Sequence, residues 1–446
     1  MHLDELAQAA VDGASPEQLE RLAVPSDYYA AYLHRDDVDM FTGVEDKDVR
    51  KSMRLGRVPM PELAPDEVLI AVMASAVNFN TVWSAIFEPL PTFQFLKQMG
   101  RKGKWEARHD QPYQVVGSDA AGVIVAMGEG VRGRWRAGDH VVVNPGYVDD
   151  QDPEVQDDSI TTSPLAWAFE TNFGAFAHYC VVRASMLMPK PAHLSWEEAA
   201  CNPLCAGTAY RMLVSDNGAR MKQGDVVLLW GATGGVGAYG VQFVKNGGGI
   251  AVGVVSSAAK EDLARKLGCD VVINREELGM QGYDGVDPKR TVEIGRKLGK
   301  IIRSQVGADP DIVYDYVGQK TFAVSVFVAK TGGSVVTCGS STGYQHTFDN
   351  RYLWMRVKRI VGSHGANGKE QLDCNRMISR GQIHPTLSAV YPLSEAPEAV
   401  RLVQTNGHTG KVGVLCLAPE EGLGITDPET RARIGADRIN MFRDAA

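Results

Sequence analysis

The pattern of apolar and polar residues changes several times along the chain, and each change marks a different kind of element. Apolar, β-branched runs at 226–230 and 251–255 have the length and composition of buried parallel strands. Between them, residues 236–245 follow helical spacing, and three glycines at 247–249 end the helix. Further apolar runs follow at 271–273, 312–317 and 333–338. Because helical segments separate these runs, the pattern predicts a parallel βαβ sheet.

The segments on either side of this unit follow other patterns. Residues 1 to about 50 are polar and predict surface helices. Short apolar stretches between glycine and proline turns at 52–142 predict a compact β-rich unit. A helical pattern at 394–406 and a strand pattern at 413–417 indicate that the chain returns to its first unit. We therefore expect an α/β protein with one domain at 1–205 and 356–446 and a second at 206–355.

A glycine-rich turn follows the strand at 226–230 and carries the strongest chemical signal in the sequence. Glycine permits turn geometries that a side chain forbids, and it lets the backbone approach a pyrophosphate at the start of the next helix. On spacing alone, a tight strand-to-helix turn without a ligand remains the alternative. The expected dinucleotide contacts are Gly231, Ala232, Thr233, Gly234, Gly235, Val236 and Gly237.

The end of the strand at 251–255 distinguishes two nicotinamide cofactors. An NAD site would have an acidic residue there for the ribose hydroxyls. Here Ser256 and Ser257 supply hydroxyls, and Lys260 follows with a cation that suits the 2′-phosphate of NADPH. Arg275 is a further candidate. For each residue taken alone, a solvated loop is an equally open interpretation.

Composition excludes several classes of protein. The chain has 446 residues, 44% of them apolar and 22% charged, which is typical of a globular enzyme. A net charge of −8 does not favour nucleic acid or an anionic membrane. No apolar run reaches the roughly 20 residues of a membrane span, and the first residues have no signal-peptide core. Seven scattered cysteines fit reduced thiols in a cytoplasm, and none forms a metal pattern.

Two polar clusters stand out as candidate chemistry. Asn78 and Asn80 follow an apolar strand directly, so an active site and Asx-type capping of the next helix are equally open. Glu170 lies between aromatic residues, which is unusual for a plain loop. A buried, hydrogen-bonded carboxylate is the expectation there, and such groups concentrate at functional sites.

Several blocks resemble a known family. The turn at 232–240 after a β-rich half is similar to the medium-chain dehydrogenase/reductase superfamily, which implies a GroES-like catalytic domain and a Rossmann cofactor domain. NFNTVW (78–83), FETNFG (169–174), DNRYLWM (349–355) and GKVGVLCLAPEEGLG (410–424) resemble crotonyl-CoA carboxylase/reductases. The similarity covers nearly the whole chain. Zinc members carry Gly-His-Glu where this chain has Gly117-Ser118-Asp119, so a zinc-free enzyme is expected.

The resemblance implies a biotin-independent reaction in which NADPH, CO2 and a 2-enoyl-CoA give an alkylmalonyl-CoA. It also implies a homotetramer built from dimers. An NADPH-dependent enoyl-thioester reductase that only protonates shares the fold and is the alternative. A non-catalytic NADPH sensor would keep the glycine turn but lose the pocket residues.

The family's CO2 pocket corresponds here to Asn80, Phe169, Glu170 and His364. CO2 is uncharged, so only aimed donors and a dry, shaped pocket can hold it. The resemblance implies that Asn80 and His364 donate, that Phe169 closes the wall and offers its backbone, and that Glu170 fixes His364 and a bridging water. Taken singly, His364 is more typical of a structural histidine and Phe169 of a core residue.

The chain departs from the short-chain pattern near the acyl pocket. Members that act on crotonyl-CoA carry a bulky Phe after the matching histidine, where this chain has Gly365. The lost ring opens volume, and each CH2 placed there adds about 0.8 kcal/mol of binding. A substrate of about six to ten carbons is therefore expected. For CoA, Arg351 and Tyr352 offer a cation and a ring, with interface packing as the alternative.

Overall fold

The computed structural model describes residues 3–131, 133–156 and 164–445. The strands are β1 (Asp27–His34), β2 (Arg54–Pro59), β3 (Glu67–Ala76), β4 (Tyr113–Val115), β5 (Ala120–Met127), β6 (His140–Val143), β7 (Gly146–Tyr147), β8 (Leu165–Ala166), β9 (Tyr179–Arg183), β10 (Leu187–Pro189), β11 (Val226–Trp230), β12 (Ile250–Val255), β13 (Val271–Asn274), β14 (Ile312–Tyr314), β15 (Ser334–Thr337), β16 (Arg359–Gly362), β17 (Leu387–Pro392) and β18 (Lys411–Leu415). The α-helices are α1 (Glu5–Val11), α2 (Pro16–Leu19), α3 (Phe79–Ile86), α4 (Thr92–Met99), α5 (Trp196–Ala200), α6 (Pro203–Leu213), α7 (Gly235–Asn246), α8 (Glu261–Leu267), α9 (Pro288–Val306), α10 (Gln319–Val328), α11 (Arg351–Trp354), α12 (Gly368–Ser379), α13 (Ala396–Gln404), α14 (Pro428–Ile434) and α15 (Ala436–Ile439).

A parallel sheet of six strands, in the order β13-β12-β11-β14-β15-β16, forms the second domain. Its central strand β11 is buried along its whole length. Val227 and Leu229 point into the core that includes residues of α7, whereas Leu228 and Trp230 point into the core that includes residues of α9 and α10. Because both faces of β11 are covered, its sequence is continuously apolar. The predicted parallel sheet is confirmed, with strand ends within a few residues of those expected.

The predicted domain boundaries need correction at two places. Strand β16 pairs in parallel with β15, so the parallel sheet continues past residue 355. The other expected boundary, between 205 and 206, falls inside helix α6. The short sequence of β16 carries exposed residues at the edge of a sheet, so it lacks the apolar run that identifies a buried strand.

A mostly antiparallel sheet of seven strands forms the core of the first domain. Its order is β10-β6-β5-β3-β18-β17, and β9 also pairs with β3. All ten residues of β3 are buried. Strand β18 pairs antiparallel with β3, so the chain returns after the parallel sheet to the sheet that contains β3.

The prediction of helices throughout the first 50 residues is wrong for one segment. Residues Asp27–His34 form strand β1, which lies between β2 and β4 in a three-stranded sheet. Its burial alternates over most of its length, with Tyr28, Ala30 and Leu33 buried. The two adjacent alanines obscure this alternation in the sequence, because alanine is equally typical of a helix.

Membrane-spanning helices, metal clusters and disulfides are absent from the described residues. These residues contain no helix with the length and apolarity needed to cross a bilayer. They also contain no cluster of three or more histidine, cysteine or acidic side chains suited to a metal ion. All seven cysteines are free thiols.

Candidate active site

Residues 231–237, here called the cofactor turn, join β11 to α7. Gly231 has a φ of +65°, and a Cβ added there would lie 2.7 Å from the Tyr316 hydroxyl. That hydroxyl donates to the Gly231 carbonyl at 2.7 Å. A Cβ on Gly237 would lie 2.2 Å from the same carbonyl oxygen. The turn therefore requires glycine at both positions, and it leaves the start of the 12-residue helix α7 without a side-chain cap, as an anion site needs.

The candidate 2′-phosphate contacts lie at the carboxyl ends of β12 and β13. Ser256 and Arg275 are exposed, and Ser257 and Lys260 are half-buried. Burial and then the nearby charge of Arg275 lower the pKa of Lys260. Neither cation forms an ion pair within the described parts of the chain. Two neighbouring cations without a carboxylate partner fit a phosphate, and they favour NADPH over NAD.

Neither of the two asparagines after β3 caps helix α3 with its side chain. The Asn80 Nδ2 donates to the Ser118 hydroxyl at 2.9 Å, and the Asn80 Oδ1 is buried without a protein partner. A hydroxyl can donate as well as accept, so the amide can turn over, keep Ser118 and present its NH2 group. Asn80 therefore has one amide atom available to a ligand.

Asn78 takes part in a buried ion pair. The Lys411 ammonium lies 3.1 Å from the Asp119 carboxylate, and both side chains are almost fully buried. Asn78 donates to the same carboxylate at 2.8 Å and accepts from Lys411 at 2.5 Å. Burial opposes the charge of Lys411, but Cys205 and Asp119 raise its pKa overall.

The position that matches the zinc ligands of the superfamily does not fit a metal. Ser118 stands where the ligand histidine would be, and its hydroxyl accepts from Asn80. The neighbouring Asp119 carboxylate is neutralised by Lys411 and also accepts from the Leu204 N–H at 2.9 Å. These residues leave no histidine or thiolate donor for Zn²⁺.

The segment that carries Phe169 and Glu170 is held rigidly by backbone contacts. The Phe169 carbonyl accepts from Gln114 at 3.0 Å, and its N–H donates to Ala166 at 3.2 Å. Both backbone polar groups of Phe169 therefore have protein partners in this conformation. Its ring is buried and lies 6.2 Å from the ring of Trp83, so the two rings form an apolar surface.

Glu170 and His364 are not joined by a hydrogen bond in the described structure. The Glu170 carboxylate instead accepts from the Ala166 N–H at 2.7 Å. His364 lies in the loop after β16 with an exposed side chain. Its carbonyl accepts from Arg211 at 3.3 Å, and Arg211 pairs with Glu370 at 2.6 Å. The backbone of His364 is therefore fixed by a hydrogen bond, whereas its imidazole is exposed to solvent.

Gly365 and Gly368 flank open space. Gly365 has a φ of +59°, and a Cβ on either glycine would meet nothing within 4 Å. A cavity of about 100 Å³ adjoins Gly368, with Leu187, Met188 and Leu372 among its lining residues. Gly365 is half-buried and Gly368 is exposed, so neither glycine is packed against another residue on the side where a side chain would extend.

Arg351 and Tyr352 lie away from Asn80. Arg351 is exposed and pairs with Asp349 at 2.6 Å. Tyr352 lines a cavity of about 290 Å³ whose cations are Arg296, Arg303, Lys330, Arg356 and Lys358. Several lining residues come shortly before β14, β15 and β16, so the cavity lies at the amino ends of these strands. The cofactor turn lies at the opposite, carboxyl ends of the parallel strands. These two residues therefore do not converge with the CO2 candidates of the same chain.

Lys411 and Arg211 were not anticipated from the sequence. Lys411 reaches Asp119 across 292 positions of the chain, and Arg211 reaches Glu370 across 159. A lysine that begins a strand and an arginine near the end of a helix have no local pattern that identifies a buried partner. The local signals in this region are the departure from Gly-His-Glu at Asp119 and the asparagines that follow β3.

Comparison with known proteins agrees with this architecture. A family model described as "Alcohol dehydrogenase GroES-like domain" matches residues 64–192, and one described as "Zinc-binding dehydrogenase" matches residues 235–380. The crotonyl-CoA reductase of Streptomyces collinus is 48% identical over 437 residues, which cover 97% of each chain. The crotonyl-CoA carboxylase/reductase of Cereibacter sphaeroides is 36% identical over 90% of each chain.

A solved structure is also similar along almost its whole length. The 2-octenoyl-CoA carboxylase reductase CinF from a Streptomyces species, in complex with NADP and 2-octenoyl-CoA, is 62% identical. It superposes with a TM-score of 0.96 and covers 99% of both chains.

The two sheets, the cofactor turn and the zinc-free Ser118–Asp119 position together define a medium-chain dehydrogenase/reductase. At 48% identity over nearly the full length, the chain belongs to the crotonyl-CoA carboxylase/reductase family. The predicted fold class and family are thereby confirmed.

Proposed function

We propose that this protein catalyses the NADPH-dependent reductive carboxylation of a medium-chain 2-enoyl-CoA to an alkylmalonyl-CoA. The observation that carries the proposal is the position of Asn80. Its amide lies at the start of α3 and donates to Ser118. The next residue, Asp119, pairs with Lys411, and Lys411 lies beside the cofactor turn. A polar donor held beside a nicotinamide site in a largely apolar wall is what capture of a neutral electrophile requires.

The cofactor turn and the cations behind it bind the dinucleotide. The N-terminus of α7 receives the pyrophosphate, and Lys260 and Arg275 receive the 2′-phosphate. NADPH supplies the hydride that reduces C3 of the enoyl thioester. The residues around Asn80 then determine which electrophile reaches C2, because water gives plain reduction and CO2 gives carboxylation.

Asn80 and His364 act from two sides of the substrate. Asn80 donates to one oxygen of CO2, and Phe169 with Trp83 excludes water from the apolar side. His364 donates from the opposite side after its loop moves inward, with Glu170 placed to orient it. The movement is required because the imidazole is exposed in the structure described here.

Medium chain length follows from the open space at Gly365 and Gly368. With no side chain within 4 Å of either added Cβ, the loop leaves room that a phenyl ring would fill. Each additional CH2 buried there favours binding by about 0.8 kcal/mol, so a chain of six to ten carbons binds better than a C4 chain. The similar enzyme CinF, whose structure contains 2-octenoyl-CoA, supports this assignment.

The protein acts as a homo-oligomer, and a homotetramer is the form proposed. Edge strand β16 lies beside exposed apolar side chains: Trp354 is 64% exposed, Met355 60% and Val357 72%. Apolar residues this exposed beside the open side of an edge strand favour association with a second copy. The cationic cavity at Tyr352 adjoins this surface and fits the phosphates and adenine of CoA.

The seven free thiols support a cytoplasmic location.

The test is turnover of C4, C6, C8 and C10 2-enoyl-CoAs with NADPH or NADH, with and without bicarbonate, followed by product mass. We expect the carboxylated product with bicarbonate, NADPH preferred over NADH, and the highest kcat/KM between C6 and C10. A product that carries no added carboxyl group at saturating bicarbonate would identify a simple enoyl-thioester reductase. The highest activity on the C4 substrate would contradict the chain-length assignment.

A further inference from the structure

Lys411 connects four separate parts of the chain at one point. Its ammonium donates to the Val77 carbonyl at 2.8 Å, to Asn78 and to Asp119. Asp119 in turn accepts from the N–H of Leu204 at the start of α6. One buried cation therefore fixes the end of β3, the segment that carries Ser118 and the beginning of α6 relative to β18.

The same lysine also contacts the cofactor turn. The residue before it, Gly410, donates to the Thr233 carbonyl at 2.8 Å and forms a bridge with Gly234. A Cβ added to Gly235 would lie 3.3 Å from the Lys411 side chain. The stem of Lys411 thus packs directly under the start of α7, where the nicotinamide dinucleotide is expected.

The contacts of Asn78 indicate that this network serves more than the stability of helix α3. Asn78 occupies the N-cap position but makes no capping hydrogen bond with its side chain. Its amide is instead divided between Asp119 and Lys411. Asparagine is favoured at N-cap positions because its side chain caps the helix. The Asn78 side chain instead connects the first turn of α3, which contains Asn80, to the ion pair.

We propose that Lys411 and Asp119 are positioning residues that hold the Asn80 amide at a fixed place relative to the cofactor turn, and so determine the ratio of carboxylated to merely reduced product. The inference rests on the proposed function. Asn80 is joined to Ser118, which precedes Asp119, and Asn78 is the N-cap residue directly before its helix, so the ion pair fixes Asn80 from two directions. When the amide is loosely held, CO2 is lost and water protonates C2.

The test uses a variant that removes both charges together, because a single change would leave the other charge buried without a partner. Asp119→Asn/Lys411→Met removes both charges and keeps comparable volume. The matched control is Glu67→Gln/Arg108→Met, which removes another buried pair joined at 2.8 Å. Glu67 begins β3 and Asn78 follows its end, so the control pair lies about 30 Å away at ~3.3 Å per strand residue. The readout is the ratio of carboxylated to reduced product at saturating NADPH and bicarbonate, with thermal unfolding measured alongside.

We expect the first variant to fold, to oxidise NADPH and to show a product ratio at least about tenfold lower than wild type, whereas the control keeps the wild-type ratio. The ratio is internal to each turnover, so a smaller fraction of folded enzyme does not change it. If the first variant fails to fold, Asn78→Ala, which retains both charges, must lower the ratio severalfold. A carboxylating wild type with an unchanged ratio in the folded variant overturns this inference alone. A wild type that gives only reduced product overturns the proposed function itself.

Discussion

The two sides of the candidate CO2 site are built differently. The asparagine side, which comprises Asn78, Asn80, Asp119 and Lys411, is closed around a buried ion pair, and its side chains are linked by hydrogen bonds. The histidine side, residues 363–368, is a loop after an edge strand in which the His364 side chain is exposed. It is held through backbone contacts: Ser363 donates to Thr337 at 2.8 Å, and Arg211 donates to the His364 carbonyl.

This difference means that the asparagine side is in place before substrate binds. On the histidine side, the imidazole has yet to take its position in the proposed mechanism. Burial and the hydrogen bonds among Asn78, Asp119 and Lys411 hold the ion pair of the asparagine side in place, because moving any of the three leaves a buried polar group unpaired. The histidine side has no such constraint on its side chain, as the proposed inward movement of His364 requires. A site that traps CO2 needs both properties, since water must be excluded only after the substrate has entered.

The largest effect is expected from breaking the ion pair on one side only. Asp119→Ala leaves the Lys411 ammonium buried without its partner, so the free energy of unfolding should fall by about 3–5 kcal/mol. His364→Ala removes an exposed side chain and should change it by no more than about 0.5 kcal/mol. Urea unfolding of both variants measures the contrast. Equal losses would show that the two sides are not built differently.

A second test addresses the chemistry of the asparagine side. Asn80→Ala removes an amide donor that acts in the product-determining step, and loss of one such donor typically costs about 2.7–4 kcal/mol. The ratio of carboxylated to reduced product should therefore fall about 100-fold or more. Thr81→Val is the control, because it removes a neighbouring buried hydroxyl that has no partner. A similar fall in the control would contradict the role of Asn80.

The histidine side can be loosened without changing His364. The Asn367 side chain caps α12 by accepting from the Glu370 N–H at 2.8 Å. Asn367→Ala should destabilise the helix start by about 1 kcal/mol and lower the share of carboxylated product a few-fold, because the loop is no longer held at its far end. Asp287→Ala removes an equivalent cap on α9, far from the site, and should leave the product ratio unchanged.

The smallest effect concerns acid. His109 accepts from the Asn172 N–H at 3.0 Å, and burial lowers its pKa from 6.5 to about 3. The unfolded chain binds a proton near pH 6.5 and the folded chain does not, so stability is present above pH 6.5 and is lost as pH falls towards 3. Between pH 7.5 and 6.0 the loss from this residue should be about 0.8 kcal/mol.

Comparison of urea unfolding at the two pH values in wild type and His109→Gln isolates this contribution. Glutamine can still accept from Asn172 but does not titrate, so the variant should lose less stability on acidification. An identical pH dependence in the two proteins would show that folding does not lower the pKa of His109.

Local chemistry explains which elements could be predicted. The strands of the parallel sheet are short apolar runs, and each can be predicted from its own residues. The cofactor turn is equally local, because the positive φ of Gly231 and the close approach of Gly237 are demands of one turn. Strand β1 was missed because two adjacent alanines hide its alternation.

The sequence by itself determined the two-domain plan, the family, and the preference for NADPH that Ser256 and Lys260 indicate, because these depend on residues close together in the chain. The tertiary structure alone decided that Lys411 and Asp119 meet, that Asn78 serves them instead of its helix, and that His364 stays in the open. Partners hundreds of residues apart are brought together by the packing of two domains, and the side chain of a loop residue is buried or exposed by that packing rather than by its neighbours in sequence.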